Sequence, residues 1–274
     1  MCHACVMESV KARMLNRRDL LRGAAVAAAA GGAGAAGLTG TPALADGHGS
    51  VRDLTHAYGP DFPTYFGEPG VALNQTFNFA DNGFNLFELT LNEHTGTHID
   101  APLHFSADGK AVDEIEVGNL VVPLCVIDIR EKAAADADAQ VTPEDLDAWI
   151  AQNGDIPDRA CVAMNSGWAD KVGGDGYRNV DGDGVMHFPG FHADATAMLL
   201  ETTSASAMAV DTLSLDHGPS ADFATHYAWL PAGRYGIENL AGLSDVPAAG
   251  ATLVVGAPTH RGGTGGPARV FAMV

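Results

Sequence analysis

Between residues 94 and 105 the chain reads His94-Thr95-Gly96-Thr97-His98-Ile99-Asp100-Ala101-Pro102-Leu103-His104-Phe105. Three imidazoles and one carboxylate fall within this stretch, all at even offsets. An alternating strand would turn them to one side. A straight strand is excluded, however, if His94 and His98 share one ion. Four extended residues span about 13 Å, whereas a metal–nitrogen bond is only about 2.1 Å long. The chain must therefore bend, and Gly96 is where bending costs least. A regular helix fits worse, because Thr95, Thr97 and Ile99 are β-branched and Pro102 has no backbone N–H. Two histidines with a carboxylate are the grouping that holds a catalytic divalent ion and leaves positions open for water. A hydrogen-bonded His/Asp cluster without metal is the competing reading.

The rest of the chain narrows the setting. It has 274 residues, 46% hydrophobic and 18% charged. That suffices for a large domain with a substantial core, and it is too apolar for disorder. With 34 acidic against 15 basic residues the formal charge is −19. Such a surface repels phosphate backbones and anionic lipid, so neither nucleic acid nor membrane is an expected partner. It suits a protein that concentrates divalent cations.

Asn16-Arg17-Arg18-Asp19-Leu20-Leu21-Arg22 places a twin arginine before an Ala- and Gly-rich stretch from Gly23 to Leu38. That stretch is too short and too weakly apolar to span a bilayer. Thr41-Pro42-Ala43-Leu44-Ala45 then supplies an A-x-A cleavage site. Residues 1–45 resemble a twin-arginine (Tat) export signal, which leaves a mature domain over 46–274 and a periplasmic or extracellular destination. An uncleaved anchor is the alternative. Within the signal, Gly32–Gly37 matches G-x-G-x-x-G, but no strand precedes it and it is rejected as a nucleotide site. Cys2-His3-Ala4-Cys5 offers too few ligands for zinc. Past the signal only Cys125 and Cys161 remain, both in apolar runs. They read as buried free thiols, with a disulfide left open in an oxidising compartment.

Val121–Ile129 reads as a buried strand with Pro123 near its beginning. The Ala- and Asp-rich stretch 132–139 reads as a surface loop. Thr142 is expected to cap a helix with Pro143 at its first position, a stripe of Leu146, Trp149 and Ile150, and Gly154 as its stop. Further strands are expected at Ala160–Asn165, Ala207–Leu213, Thr252–Ala257 and Arg269–Val274, and a helix over 193–201. The alternation implies an α/β domain with no internal linker. In the Gly/Asp-rich loop 173–184, Asn179, Asp181, Asp183 and Gly184 match the opening of a calcium loop, but Gly190 stands where its terminal Glu would be. Gly262-Gly263-Thr264-Gly265-Gly266 lacks the Lys of a phosphate loop and reads as a turn or pocket lip. No G-x-S-x-G occurs, which argues against a serine hydrolase.

The segment from His94 to His104 resembles the H-x-G-T-H-x-D-x-P-x-H signature of the metal-dependent cyclase family, which includes bacterial kynurenine formamidases and isatin hydrolases. Asp53-Leu54-Thr55-His56 is similar to that family's opening strand. Val210-Asp211-Thr212-Leu213-Ser214-Leu215-Asp216 is similar to its D-T-x-S-x-D strand end. His226 and Glu238, twelve residues apart, match the spacing of its second ligand pair. The resemblance implies one α/β domain of swivelling β/β/α type, with a mixed sheet and flanking helices. It further implies metal ligation by His94, His98, Asp100, His226 and Glu238, with Asp100 bridging where two ions are bound. Zinc and manganese, one ion or two, both suit these N and O ligands.

His104, four residues beyond Asp100, is then the expected proton shuttle, with a third ligand or a structural hydrogen bond as its other reading. The family's substrates are N-acylated aromatic amines or fused lactams, so Tyr65, Phe66, Phe62 and Trp229 are expected to line the pocket. The reaction expected is hydrolysis of isatin to isatinate. Kynurenine formamidase activity is the near alternative, and an exported metal-binding module without catalysis is the alternative of another class. Relatives are commonly dimers or larger, which implies a homo-oligomer.

Overall fold

Apolar runs become strands here because both faces of one sheet are covered. The structure, a computed structural model, describes residues 49–274 apart from residue 175. The segment read as an export signal, with Cys2, His3, Cys5 and the Gly32–Gly37 run, lies outside the described residues. The strands are β1 (Val51–Asp53), β2 (Val71–Phe77), β3 (Leu86–Leu91), β4 (His98–Asp100), β5 (Val121–Asp128), β6 (Gln140–Val141) and β7 (Cys161–Asn165). They continue with β8 (Gly190–Phe191), β9 (Ala207–Val210), β10 (Tyr235–Glu238), β11 (Ala251–Gly256), β12 (Gly265–Pro267) and β13 (Arg269–Met273). The helices are α1 (Phe79–Asn82), α2 (Arg130–Ala135), α3 (Pro143–Asn153), α4 (Ala193–Thr202) and α5 (Ala224–Trp229).

Nine strands form a mixed sheet in the order β1-β13-β11-β5-β7-β9-β10-β4-β12. The central run from β5 through β7 and β9 to β10 is parallel, and the flanking pairings are antiparallel. Alternation along β5 separates two cores. Leu124 and Val126 join one cluster with Ile99, Ile237 and Val270, while Cys125 and Ile127 join another with Leu146, Trp149 and Leu199 from α3 and α4. The same alternation keeps the cysteines apart. Cys161 pairs with Leu124 across the strands, so Cys125 points to the opposite face and both thiols are free.

Helix α3 begins as expected: Pro143 takes the first turn, and the Asp145 carboxylate accepts the Thr142 N–H at 2.7 Å. Two expectations need correction. Residues 130–135, taken partly as loop, form α2, because the run Lys132–Ala135 favours helix and the Asp128 carboxylate accepts the Arg130 N–H. The strand expected to reach Leu213 stops at Val210, because Asp211 turns its carboxylate away to accept the Ser166 and Trp168 N–H groups.

Residues Leu73–Thr90 form a separate small unit that the sequence reading missed. In it β2 and β3 pair around α1, which Asn78 caps and which Gly83 ends at φ +78°. Phe87-Glu88-Leu89-Thr90-Leu91 does alternate, but Leu73, Phe87, Leu89 and Leu91 are exposed, so the pattern marks a strand whose apolar side is left uncovered. No helix among the described residues is long and apolar enough to cross a membrane.

Candidate metal centre

Register places the ligands. Strand β4 lies between β10 and β12, and its pairing with β10 sets Ile99 opposite Ile237, His98 opposite Glu238 and Asp100 opposite Gly236. Ile99 and Ile237 fill the core, so His98, Asp100 and Glu238 emerge together on the other face. Gly236 leaves room for this: a Cβ there would lie 2.9 Å from Leu215 Cδ1 and 3.4 Å from Asp100 Cβ. The bend demanded by the histidine spacing is present at Gly96, whose φ is +64°.

Asn239, itself at φ +56°, clasps that bend. Its amide donates to the Gly96 carbonyl at 3.0 Å, and its own carbonyl accepts the Thr97 hydroxyl at 2.5 Å. Tyr177 donates its hydroxyl to the Asn239 side-chain oxygen at 2.7 Å. The Gly/Asp-rich loop, of which Tyr177 is part, thus supports the centre through a hydrogen bond. Neither Asn239 nor Tyr177 was singled out by the sequence, since an isolated polar residue carries no periodic signal.

Each ligand histidine has one ring nitrogen tied to an oxygen and the other turned to the centre. His98 Nδ1 donates to the Gly96 carbonyl at 2.9 Å, leaving Nε2 at 3.4 Å from Asp100 Oδ1 and 3.3 Å from Glu238 Oε2. His226 Nδ1 donates to Asp216 at 2.5 Å, leaving Nε2 at 3.2 Å from Glu238 Oε1 and 3.7 Å from Asp100 Oδ2. His94 Nδ1 lies 2.7 Å from Asp100 Oδ1, and its Nε2 lies 3.1 Å from the Thr264 hydroxyl. His98 Nε2 and Asp100 Oδ2 are buried with no hydrogen-bond partner. Buried ligand atoms left without a partner are what a cation would satisfy.

Electrostatics agree. Burial opposes charge on His98, but the carboxylates of Asp100 and Glu238 outweigh it and lift its pKa to about 10. Burial likewise opposes a charged His226, yet Asp100, Asp216 and Glu238 hold its pKa well above the ordinary value. Asp100 stays ionised although burial resists it, because His94 and His98 stand beside it. Protons thus collect where a divalent ion would sit. The donor set of imidazoles and carboxylates fits manganese or zinc.

Two overlapping groups have ligand atoms within 4.8 Å of one another: His98, Asp100 and Glu238, and His94, Asp100 and His104. Asp100 belongs to both, the position a bridging carboxylate needs. All five expected ligands are therefore brought together, and His104 joins them. Its ring stacks on His94 with centroids 3.9 Å apart. Burial pushes its pKa down to about 4, against the pull of Asp100 and Glu238. At neutral pH it is an uncharged base.

A cavity of about 300 Å³ opens onto this centre. Its wall includes Tyr65, Phe66, His94, His104, Phe105, Leu213, Ser214, Phe223, His226 and Glu238. Tyr65 and Phe66 are thus where the sequence resemblance put them. Phe62 and Trp229 are not: Phe62 is buried against His56 and Tyr177, and Trp229 is fully buried with its indole N–H donating to the Tyr235 carbonyl. Both are core residues, as large aromatics usually are. Phe105 and Phe223 take the wall positions instead. Of the other histidines, His187 bonds Asp138 and Asp181, and His192 caps α4.

Fold and centre together define a hydrolase-type site of the kind built on a histidine–carboxylate cradle, and the chain belongs to the Cyclase family, whose model matches residues 52–217. Among its relatives, an isatin hydrolase from Roseibium aggregatum is 32% identical over 84% of this chain and 94% of that protein. A kynurenine formamidase from Salinibacter ruber is 29% identical over 72% of this chain and 85% of its own. The structure of isatin hydrolase A from Ralstonia solanacearum superposes with a TM-score of 0.79 at 31% identity, covering 88% of this chain and all of that one.

Proposed function

We propose that this chain is a metal-dependent amidohydrolase that opens the lactam ring of isatin to give isatinate. The observation that carries the reading is the meeting of an aromatic cavity with a buried cluster of unsatisfied ligand atoms and an uncharged His104 at its edge. A divalent ion, when bound, lowers the pKa of water toward about 7 and stabilises negative charge on a carbonyl oxygen. The protein's own residues do the rest. Tyr65, Phe66, Phe105 and Phe223 receive a flat bicyclic ring. His104 takes the proton of the attacking water and delivers it to the ring nitrogen as the C–N bond breaks. The nitrogen ends as an aromatic amine and the carbonyl carbon as a carboxylic acid, which gives up its proton to solvent to become carboxylate.

Isatin is favoured over N-formylkynurenine by the wall itself. Among its described residues there is no Lys or Arg to meet an amino acid's carboxylate. The decisive assay offers both substrates to protein that has been stripped of metal and reloaded separately with manganese and zinc. Turnover of isatin by a reloaded protein and none by the stripped one is expected. Failure of both substrates with both ions overturns the proposal and leaves the non-catalytic metal-binding module.

The proposal extends to the swivelling β/β/α type of the fold, to Tat-dependent export to the periplasm or beyond, and to a homodimer or larger assembly. The first is supported by the curled mixed sheet. The second rests on Arg17, Arg18 and the Ala43–Ala45 site, and the third on resemblance to the family.

A further inference from the structure

The Gly262–Gly266 run has no part in the reaction just described, yet it is built tightly against the centre. A Cβ on Gly263 would lie 2.2 Å from His260 Nε2 and 2.7 Å from Glu93 Oε1. One on Gly265 would lie 2.3 Å from the Ile99 carbonyl oxygen and 3.0 Å from His94 Cε1. No side chain fits at either position without movement, so the glycines let this loop press Thr264 between His94 and Glu93.

What Thr264 does there follows from hydrogen directions. Glu93 receives the Thr264 N–H on both oxygens, at 3.2 and 3.1 Å, and the Thr264 hydroxyl at 2.5 Å. His260 Nε2 approaches its other side at 2.6 Å. A carboxylate facing so many donors is an acceptor throughout. The hydroxyl has one hydrogen, and Glu93 takes it. At 3.1 Å from His94 Nε2 the Thr264 oxygen can then only accept, which requires a proton on Nε2. Nδ1, which shares a proton with Asp100 Oδ1 at 2.7 Å, is then the one nitrogen of His94 that can give its lone pair to a cation, that proton leaving as the ion binds.

We infer that Glu93 and Thr264 are positioning residues that fix the Nε2–H tautomer of His94 and so aim its Nδ1 at the metal. The inference rests on the metal-centre reading above. It gives His94 the opposite ligating nitrogen from His98 and His226, whose Nδ1 atoms are tied. Such outer hydrogen bonds raise ligand basicity and hold the ring, and losing one typically costs 10–100-fold in metal affinity.

The test is zinc and manganese titration of the full chain against a chelating dye, with ¹⁵N-histidine NMR of the zinc-loaded protein. Thr264→Val, close in shape to threonine, should bind either ion about 10–100-fold more weakly and lose the Nε2–H signature of His94. Thr264→Ser should restore both. Should Thr264→Val fold poorly, Glu93→Gln tests the same link with a smaller loss in the same direction. Wild-type affinity and an unchanged His94 signature in Thr264→Val and Glu93→Gln overturn the inference. A wild-type chain that binds neither ion overturns it too, but by removing the metal reading on which it stands.

Discussion

His104 is the residue on which catalysis and mere binding part company. It stands within ligating range of His94 and Asp100, and it is an uncharged base at neutral pH. If it moves protons, His104→Ala keeps its metal and loses about 10²–10⁴-fold in kcat. Metal content by atomic absorption, measured beside turnover, checks this; loss of the ion with the activity would make His104 a ligand instead. Much at this scale was legible. Local spacing alone marks His94, His98, Asp100 and His104, because they lie within eleven consecutive residues. His226 and Glu238 carry no such mark, being distant in sequence from the first motif, and only likeness to a family named them. Asp216 sits at the end of a quoted motif, but its task of holding His226 Nδ1 appears only when the ring is seen beside it.

Elements decide whether those residues meet. The antiparallel register of β4 against β10 sets His98 opposite Glu238, and a slip of β4 by one residue would turn His98 and Asp100 into the core. Gly236 is the contact point of this pair. Gly236→Val would drive a side chain into Leu215 and toward Asp100, at a cost of about 1–3 kcal/mol of stability. Thermal denaturation and metal stoichiometry read the result together, and an unchanged melting temperature would show that Leu215 simply yields. Strands β5 and β7 and helices α3 and α4 were readable from apolar runs, caps and stops. Strand β10 and helix α5 were not, since four and six residues give periodicity too little room. Phe62 and Trp229 were misjudged for a related reason: an aromatic residue has the same letter whether it faces a cavity or the core.

For the whole molecule, the buried charges tie stability to pH and to metal. His98 has a folded-state pKa of about 10 against an ordinary 6.5. The stabilisation it draws from its carboxylates is therefore fully present below pH 6.5 and is lost as the pH rises toward 10. The melting temperature of the stripped protein should fall across that window, whereas saturating zinc or manganese replaces the protons and raises it. Differential scanning calorimetry of stripped and loaded protein decides the matter, and a stripped protein whose stability climbs between pH 6.5 and 10 would contradict the charge arrangement.

One feature of the sheet sets a timetable. Strand β4 is completed on one side by β10 and on the other by β12, and His94 touches a threonine 170 positions further along the chain. During synthesis the first histidines leave the ribosome long before their neighbours exist. A nascent chain lacking those neighbours can offer only a loose partial cradle, and firm capture of a cation waits until β10 and β12 have both docked beside β4. Retained metal would thus certify that segments far apart in sequence have found each other.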